Sequence, residues 1–347
     1  MKKINIILVL LIFTFSAASL FSIDTEKTAG SSAGDYIKVG AAGSQFMKIG
    51  IGARGNGMAG AYGSVVNDLS SIYWNPAGLA EVKGITGNFS YTSWFADFQH
   101  NFAAISMPLG SNFTVAVSMI SFSSDNIEIT TIEKPEGTGL FYNVNDVAAG
   151  ASVSGYLTDQ FSFGVTAKYI YNSFASLSSG GIAFDIGTMY ETGIQGIKLG
   201  FSIHNLGAQL QYQGQDLYTT KRIWDALSAQ KIDASYTASS YSIPLIFRAG
   251  ISAALINTES SKLISAFDFV TNSDTKEQYA LGFEYTWRNF VSVRAGYRFG
   301  LDQIMGIAGG VGLKYDGGAF AGSIDYSVNP TYDIGLINRL SVTVGMK

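Results

Sequence analysis

Charged side chains recur at alternate positions within strand-like runs of this 347-residue chain. In residues 161–171, bulky apolar side chains at the odd positions alternate with Ser162, Gly164, Thr166 and Lys168. This period of two is typical of a β-strand with one apolar and one polar face. The polar faces of such runs carry Lys168, Asp185, Glu191, His204, Arg248, Asp268, Glu284, Arg294, Arg298, Lys314 and Asp325. With His204 neutral, cations and anions balance, so we predict ion pairs, because a buried charge needs a partner.

Two of these ion pairs can be predicted by residue number. If the links between neighbouring runs are tight hairpins, Lys168 falls opposite Asp185 and Glu284 falls opposite Arg294. The alternative use of such charges, a binding site for a carboxylate ligand, would require an excess of Arg or Lys. The balance therefore favours a structural role for these four residues.

Motifs for catalysis or metal binding are missing from the sequence. His100 and His204 lie in separate runs, and neither H-E-x-x-H nor G-x-S-x-G occurs. Without cysteine the chain can form no disulfide or thiolate metal site. Overlapping G-x-G-x-x-G matches begin at Gly50 and Gly55, but no βαβ pattern surrounds them. We therefore predict a protein that is not an enzyme, with no catalytic residue, cofactor or metal site.

The composition favours a membrane β-barrel. Charged residues make up 14% of the chain, against about 25% in typical soluble domains. The 40 Gly, 23 Phe and 19 Tyr suit a barrel with aromatic girdles. No apolar run reaches the roughly 20 residues that a membrane-spanning helix needs, so a membrane protein of this sequence must cross with strands. A net charge of -4 gives no reason to expect a nucleic-acid partner.

The N-terminus is typical of a signal peptide, which we place at residues 1–22. Lys2 and Lys3 precede an apolar run over residues 4–15, and small residues follow at 16–19. The alternative is an uncleaved helical anchor, for which the apolar run is short. Export in this way predicts location in a bacterial outer membrane.

About fourteen strand-like runs follow residue 84, most of them near the length of a tilted membrane strand. The predicted runs are 85–95, 99–108, 112–123, 146–157, 161–173, 180–192, 197–205, 243–256, 262–270, 277–287, 290–299, 308–315, 319–327 and 339–346. Short turn-like links alternate with longer ones at 124–145, 206–242, 300–307 and 328–338, as expected for periplasmic turns and extracellular loops. The longest loop has room for a helix near residues 221–231.

Between the signal peptide and the first run lies a different kind of segment, rich in Gly and Ala. Asn75 can cap a short helix whose first residue is Pro76. We divide the chain into a signal peptide (1–22), an N-terminal hatch (23–84) and an all-β transmembrane barrel (85–347).

The letters GARGNGMAGAYGSVVNDLSSIYWNPAGLA within this segment resemble the N-terminal signature of the FadL-like outer-membrane proteins. They are most similar to the PorV/PorQ branch. The resemblance implies a fourteen-stranded antiparallel barrel whose lumen is closed by the hatch. It further implies passive uptake of hydrophobic, long-chain fatty-acid-like molecules. The hatch motif is then Trp74, Asn75, Pro76, Ala77 and Gly78.

The resemblance leaves two points open. Arg54 is a candidate either to anchor the hatch or to bind a ligand carboxylate. The barrel is surrounded by outer-membrane lipid in every interpretation, but its role has alternatives: a PorV-like component or shuttle that contacts secretion-system proteins, or a structural surface barrel. Companion genes for that secretion system would favour the first alternative.

Overall fold

The computed structural model describes residues 42–194, 196–224, 230–300, 306–331 and 335–346. The predicted signal peptide and residues 23–41 of the predicted hatch lie outside these ranges. None of the helices in the described ranges is long and apolar enough to cross a membrane.

Fourteen long strands make up most of the structure. They are β1 (Ile85–Ser93), β2 (Gln99–Leu109), β3 (Phe113–Ser123), β4 (Val144–Thr158), β5 (Phe161–Phe174), β6 (Leu177–Glu191), β7 (Lys198–Gly207), β8 (Ile246–Asn257), β9 (Ser261–Asn272), β10 (Thr275–Trp287), β11 (Val291–Gly300), β12 (Ile307–Gly317), β13 (Phe320–Thr331) and β14 (Gly335–Met346). Each predicted run corresponds to one of them, with its ends within a few residues.

The strands form a closed antiparallel barrel. Each strand pairs with its neighbours along the chain, and β1 pairs with β14 from Ile85 opposite Met346 to Ser93 opposite Asn338. A two-residue strand, Gln213–Gly214, adds to the start of β6. Closure leaves neither β1 nor β14 as an unpaired edge, which is how a sheet satisfies its backbone in lipid.

The two faces of the wall differ as the sequence predicts. On β10, the outward-facing Leu281, Phe283 and Tyr285 are 38–39% exposed, whereas Ala280 and Glu284 are buried. An apolar outer surface next to a polar inner one is the arrangement of a membrane barrel and the reverse of a water-soluble one. The fold is therefore a transmembrane β-barrel.

The links divide the barrel into two ends. Turns of a few residues join β2 to β3, β4 to β5 and β10 to β11; we call this the turn end. The opposite loop end carries the long links 124–143 and 208–245. The link between β13 and β14 spans only residues 332–334, so the long loop predicted over 328–338 is wrong: the two strands continue pairing to Thr331 opposite Gly335.

Both long links contain hairpins. Ile127–Glu128 pairs with Phe141–Tyr142, and Tyr218–Arg222 pairs with Lys231–Ser235. A 3₁₀ turn, Gln215–Leu217, precedes the second hairpin. The helix predicted near residues 221–231 is thus replaced by strands at both ends, and residues 225–229 lie outside the described ranges. Cross-strand pairing of this Thr-rich stretch outweighs its weak helical pattern.

Residues 42–84, which we call the inner segment, lie inside the barrel. They form the 3₁₀ turn Gln45–Lys48, helix α1 (Ala53–Gly57), helix α2 (Ser71–Trp74) and the 3₁₀ turn Pro76–Glu81. The segment starts at the loop end, where Gly43 N–H donates to Ser242 O (3.0 Å). It ends at the turn end, where Lys198 Nζ of β7 lies 2.7 Å from Glu81 Oε1. Its Tyr62, Leu69 and Trp74 are essentially inaccessible to solvent, so the apolar core lies between the segment and the wall.

Glycines on the inner face let the segment touch the wall backbone. A Cβ on Gly164 would lie 2.3 Å from the carbonyl carbon and oxygen of Pro76, and one on Gly187 would lie 2.1 Å from Asn75 Oδ1. Both distances are too short for any side chain, so these positions on β5 and β6 require glycine for close approach.

Candidate functional site

A cavity of about 460 Å³ lies between the inner segment and the loop end of the wall. Its apolar lining is mainly aromatic and consists of Phe46, Tyr73, Trp74, Trp94, Phe95, Phe122 and Tyr279, with Ile49, Ile246 and Val270. Its polar lining consists of Gln45, Lys48, Arg248, Asn272, Thr275, Gln278 and Arg298. A concave, mostly apolar volume with a few polar groups is typical of a small-molecule site.

The floor of this cavity is the end of α2. The Trp74 ring packs edge-on against Tyr73 and Tyr62, with centroids 5.1 and 6.0 Å away. Its Nε1–H donates to Ile51 O (3.0 Å). The indole is held from three sides, so the cavity cannot extend toward the turn end unless the inner segment moves.

The predicted hatch motif joins the inner segment to the wall. Asn75 has an extended backbone, and its Oδ1 accepts from Ala77 N–H (3.2 Å), which caps the turn that Pro76 begins. The turn is 3₁₀ rather than α-helical. Asn75 Nδ2 also donates to Gly63 O (2.9 Å) and to Thr188 O of β6 (3.1 Å).

The rest of the motif is packed equally tightly. Ala77 O accepts from Ser154 Oγ of β4 (3.1 Å). A Cβ on Gly78 would lie 2.5 Å from Val66 O. Trp74, Pro76, Ala77 and Gly78 are all buried. The five motif residues thus share one contact zone against the wall, with Trp74 alone reaching the cavity.

Arg54 is fully engaged by acceptors of the protein. Its Nε and Nη2 each lie 2.8 Å from the Glu284 carboxylate, an arrangement in which two parallel bonds form. Its Nη1 donates to Asn67 Oδ1 (2.6 Å) and Asp68 Oδ2 (3.3 Å), and its guanidinium stacks 5.3 Å from the Tyr62 ring. All three nitrogens of this guanidinium donate to acceptors of the protein, a geometry that favours the anchor over the ligand-binding alternative.

Glu284 links Arg54 to the wall. Arg294 is directly opposite Glu284 in the register of β10 and β11, and its Nε lies 2.6 Å from Glu284 Oε2. Arg294 Nη1 then reaches Asp325 Oδ1 of β13 (2.7 Å). These contacts run from Arg54 through Glu284 and Arg294 to Asp325. They therefore connect α1 to the strands β10, β11 and β13.

The other predicted pair also meets, but diagonally. Lys168 Nζ lies 2.7 Å from Asp185 Oδ2, although the register places Lys168 opposite Ala183 and Asp185 opposite Thr166. The expected directly opposed register is wrong by two residues, since the hairpin between β5 and β6 turns at residues 175–176. Asp185 also accepts from Asn205 N–H (2.7 Å).

Two residues of the predicted inward set are placed differently. Lys314 is exposed near the turn end, and the Glu191 side chain is 46% exposed where it contacts Lys198. Both lie close to strand ends, where alternation no longer decides what a long side chain contacts.

Sequence reasoning missed Arg339 of β14. Its side chain is 1% exposed, its Nη1 donates to Asn329 Oδ1, and its guanidinium lies 5.8 Å from the Trp94 ring. A signal was available: Leu340 and Val342 face outward, so the period of two places Arg339 inward. Among the described residues, no group of three or more His, Asp or Glu side chains is arranged to hold a metal ion.

The glycine-rich matches at Gly50 and Gly55 serve packing. A Cβ on Gly55 would lie 2.8 Å from atoms of the Trp74 ring, and one on Gly60 would lie 2.2 Å from Arg298 Nη2. Gly55 and Gly60 thus lie against side chains of the protein itself, Trp74 and Arg298.

We expect the Lys168–Asp185 pair to show strong coupling in unfolding experiments. Lys168→Met alone leaves a buried carboxylate without its cation and should lower the free energy of unfolding by about 3–5 kcal/mol. The double variant Lys168→Met/Asp185→Asn should lose clearly less than the sum of the two single variants. Denaturant unfolding in detergent, followed by tryptophan fluorescence, measures both. The exposed Lys314→Met is the control, and additive losses would show that the pair is not coupled.

No family model and no curated protein matches the sequence. The structure is similar to the toluene transporter TodX of Pseudomonas putida, with a TM-score of 0.57, 11% identity and 85% of this chain and 97% of that chain covered. The chain has the fold of FadL-type transporters. It is also similar to the Ralstonia pickettii toluene transporter TbuX, with a TM-score of 0.53, 10% identity and 85% of this chain and 97% of that chain covered. A Pseudomonas aeruginosa FadL homologue has a TM-score of 0.51 and 12% identity, with 86% of this chain and 99% of that chain covered. None of these matches distinguishes a PorV/PorQ branch.

Proposed function

We propose that this barrel takes up hydrophobic small molecules passively across a bacterial outer membrane. The observation that carries the proposal is the aromatic cavity, which opens between the loop end and an inner segment that fills the remaining lumen. The similar structures TodX and TbuX are toluene transporters, and they support the same class of solute. Long-chain fatty-acid-like molecules are the finer proposal.

In this mechanism the inner segment acts as the hatch. A solute enters from the loop end, past Trp94 and Phe95, and contacts the aromatic lining. Tyr73 and Trp74 block its way toward the turn end. Passage therefore requires a shift of α2 and of the residues around Asn75, while the contacts of Arg54 with Glu284 keep α1 against the wall.

The polar contacts of α1 and α2 with the wall agree with a fixed α1 and a movable α2. The Arg54–Glu284–Arg294 network lies on the side of α1 and is paired internally. The contacts of α2 with the wall are hydrogen bonds to backbone carbonyls, such as Arg248 Nη1 to Trp74 O (2.8 Å). A bond to a backbone carbonyl has at most one charged partner, whereas Arg54 and Glu284 form two parallel bonds between two ionised groups. The bidentate ion pair is the stronger contact, so α2 is the part that moves more easily.

Solute uptake by cells tests the proposal. Gram-negative cells that lack their own hydrocarbon channels and express this protein should accumulate radiolabelled toluene and a long-chain fatty acid faster than cells with the empty vector. Uptake of a labelled disaccharide should stay unchanged, because the closed lumen excludes polar solutes. Equal rates with and without the protein would overturn the uptake function and leave a secretion component or a structural barrel.

A further inference from the structure

Three inward-facing arginines differ from the other inner cations. Lys48, Arg54, Lys168, Lys198 and Arg294 each contact a carboxylate. Within the described residues, Arg248, Arg298 and Arg339 have no carboxylate oxygen within 4.0 Å. Their acceptors are neutral: Trp74 O, Ala59 O and Asn329 Oδ1.

Two of these arginines, Arg248 and Arg339, are buried and incompletely bonded. Arg248 and Arg339 are 5% and 1% exposed, and Arg298 is half-buried. Arg248 Nε and both Nε and Nη2 of Arg339 are buried without a hydrogen-bond partner. Burying donors of a charged group without acceptors is costly, so the site is incomplete without an anion.

The three guanidinium groups also repel one another. Arg298 lies within electrostatic range of both Arg248 and Arg339, and the Tyr73 ring lies within range of all three. Among the described residues, the one buried carboxylate that interacts with them is Asp268. Its Oδ2 accepts from Tyr62 N–H (3.2 Å) and Gly63 N–H (2.7 Å), and its Oδ1 has no hydrogen-bond partner. Three cations and one carboxylate leave an excess of two positive charges.

The cluster borders the cavity. Arg248 and Arg298 line it next to Tyr73 and Trp74, and Arg339 lies behind the lining residue Trp94. A ligand there would meet aromatic surface along its body and guanidinium donors at one end. Planar guanidinium forks match carboxylate and phosphate oxygens.

From this we infer that the cavity binds an aromatic or other apolar molecule whose headgroup carries two negative charges, such as a phosphate monoester or a dicarboxylate, on Arg248 and Arg298, with the charge of Arg339 behind Trp94 adding to the attraction. The inference deepens the proposed uptake function and rests on it for the path by which the ligand arrives. A fatty acid would supply a single negative charge and leave half of the excess uncompensated.

Three probes with the same body separate charge from hydrophobicity. The probes are 4-tert-butylphenyl phosphate, 4-tert-butylbenzoate and 4-tert-butylphenol, which at pH 8 carry two, one and no negative charges, respectively. Their binding is measured on the purified full chain in a zwitterionic detergent. We expect the phosphate to bind at least about tenfold more tightly than the benzoate, since each further charge-assisted contact adds about that factor. Equal affinity for all three probes, or a preference for the phenol, would overturn the inference.

Variants assign the preference to the cluster. Arg248→Met and Arg298→Met should each weaken phosphate binding at least about tenfold and leave binding of the phenol unchanged. Arg288→Met, at an exposed turn, is the matched control. If a Met variant fails to fold, Arg248→Lys keeps the charge and loses the fork, and should weaken phosphate binding by a smaller factor. A phosphate preference that survives these substitutions would contradict the assignment.

The result is independent of the uptake test. If toluene enters cells but the phosphate has no advantage, the uptake function stands and the anion site is wrong. If the phosphate binds through the arginines but no tracer enters cells, the site stands and the uptake function is wrong.

Discussion

Deletion of residues 23–78 should turn a poorly conducting barrel into an open pore. The inner segment runs inside the barrel from the loop end to the turn end, whereas the wall makes its hydrogen bonds between strands that the deletion leaves intact. Without the segment, a polar lumen enclosed by fourteen strands fills with water. Single-channel conductance in planar bilayers should rise by roughly an order of magnitude or more.

The control for this deletion removes residues 128–141 from the outer hairpin at the loop end. That variant should conduct as little as the full chain, because the hairpin lies outside the lumen-filling segment. A well-folded deletion of residues 23–78 with unchanged conductance would show that the inner segment does not close the barrel.

Adding one methyl group at Gly164 should have the second-largest effect. The new Cβ would lie 2.3 Å from the backbone carbonyl of Pro76, which has no flexible side chain that could give way. Overpacking of this kind costs about 1–3 kcal/mol. It should weaken the packing of residues 75–77 against β5, because these residues provide the atoms that the new Cβ would meet. We therefore expect Gly164→Ala to keep a folded barrel, to raise its conductance and to make the chain sensitive to chymotrypsin at Trp74, which is buried in the unmodified chain.

Gly87→Ala provides the matched control, since the same methyl group on β1 would meet nothing closer than Val344 O at 4.0 Å. It should behave like the unmodified chain. If both alanine variants resist chymotrypsin equally, the contact between β5 and the hatch motif does not hold the inner segment in place.

The barrel could be predicted from the sequence because its signals are local. Alternation between bulky apolar and small polar residues fixes which side chains face lipid, and turn residues such as Arg288 and Asn289 mark where the chain reverses. The Asn75–Pro76 cap is likewise local, since it needs only neighbouring residues. These features therefore matched the structure closely.

The cavity could not be predicted, because it depends on where the inner segment lies against the wall. Trp94 and Phe95 follow β1, while Tyr73 belongs to α2, and no local pattern brings them together. The register is also non-local: a shift of two residues made the Lys168–Asp185 contact diagonal.

The equal numbers of inward-facing cations and anions in the sequence do not show how these charges are distributed in the lumen. Asp325 and Glu284 share the cations Arg54 and Arg294, which leaves Asp268 as the one buried carboxylate near Arg248 and Arg298 among the described residues. Arg339 adds a further cation that the count omitted. Pairing is decided by distances across the lumen, and these follow only from the folded barrel.

Movement of the inner segment is the central claim, and a reversible crosslink tests it most directly. Ser154 Oγ of β4 donates to Ala77 O (3.1 Å), so cysteines at these two buried positions lie within reach of a disulfide or a short bis-thiol reagent. Ser90 Oγ lies 2.8 Å from Ser341 Oγ, and both residues belong to the wall. Ala77→Cys/Ser154→Cys and Ser90→Cys/Ser341→Cys therefore form a matched pair, in a chain without other cysteines.

The measurement is uptake of radiolabelled toluene by cells that express each double variant, before and after oxidation. Crosslinking Ala77→Cys to Ser154→Cys should abolish uptake, and reduction should restore it, while the crosslink within the wall should leave uptake unchanged. If toluene enters at the same rate with the inner segment crosslinked to the wall, the segment does not act as a hatch.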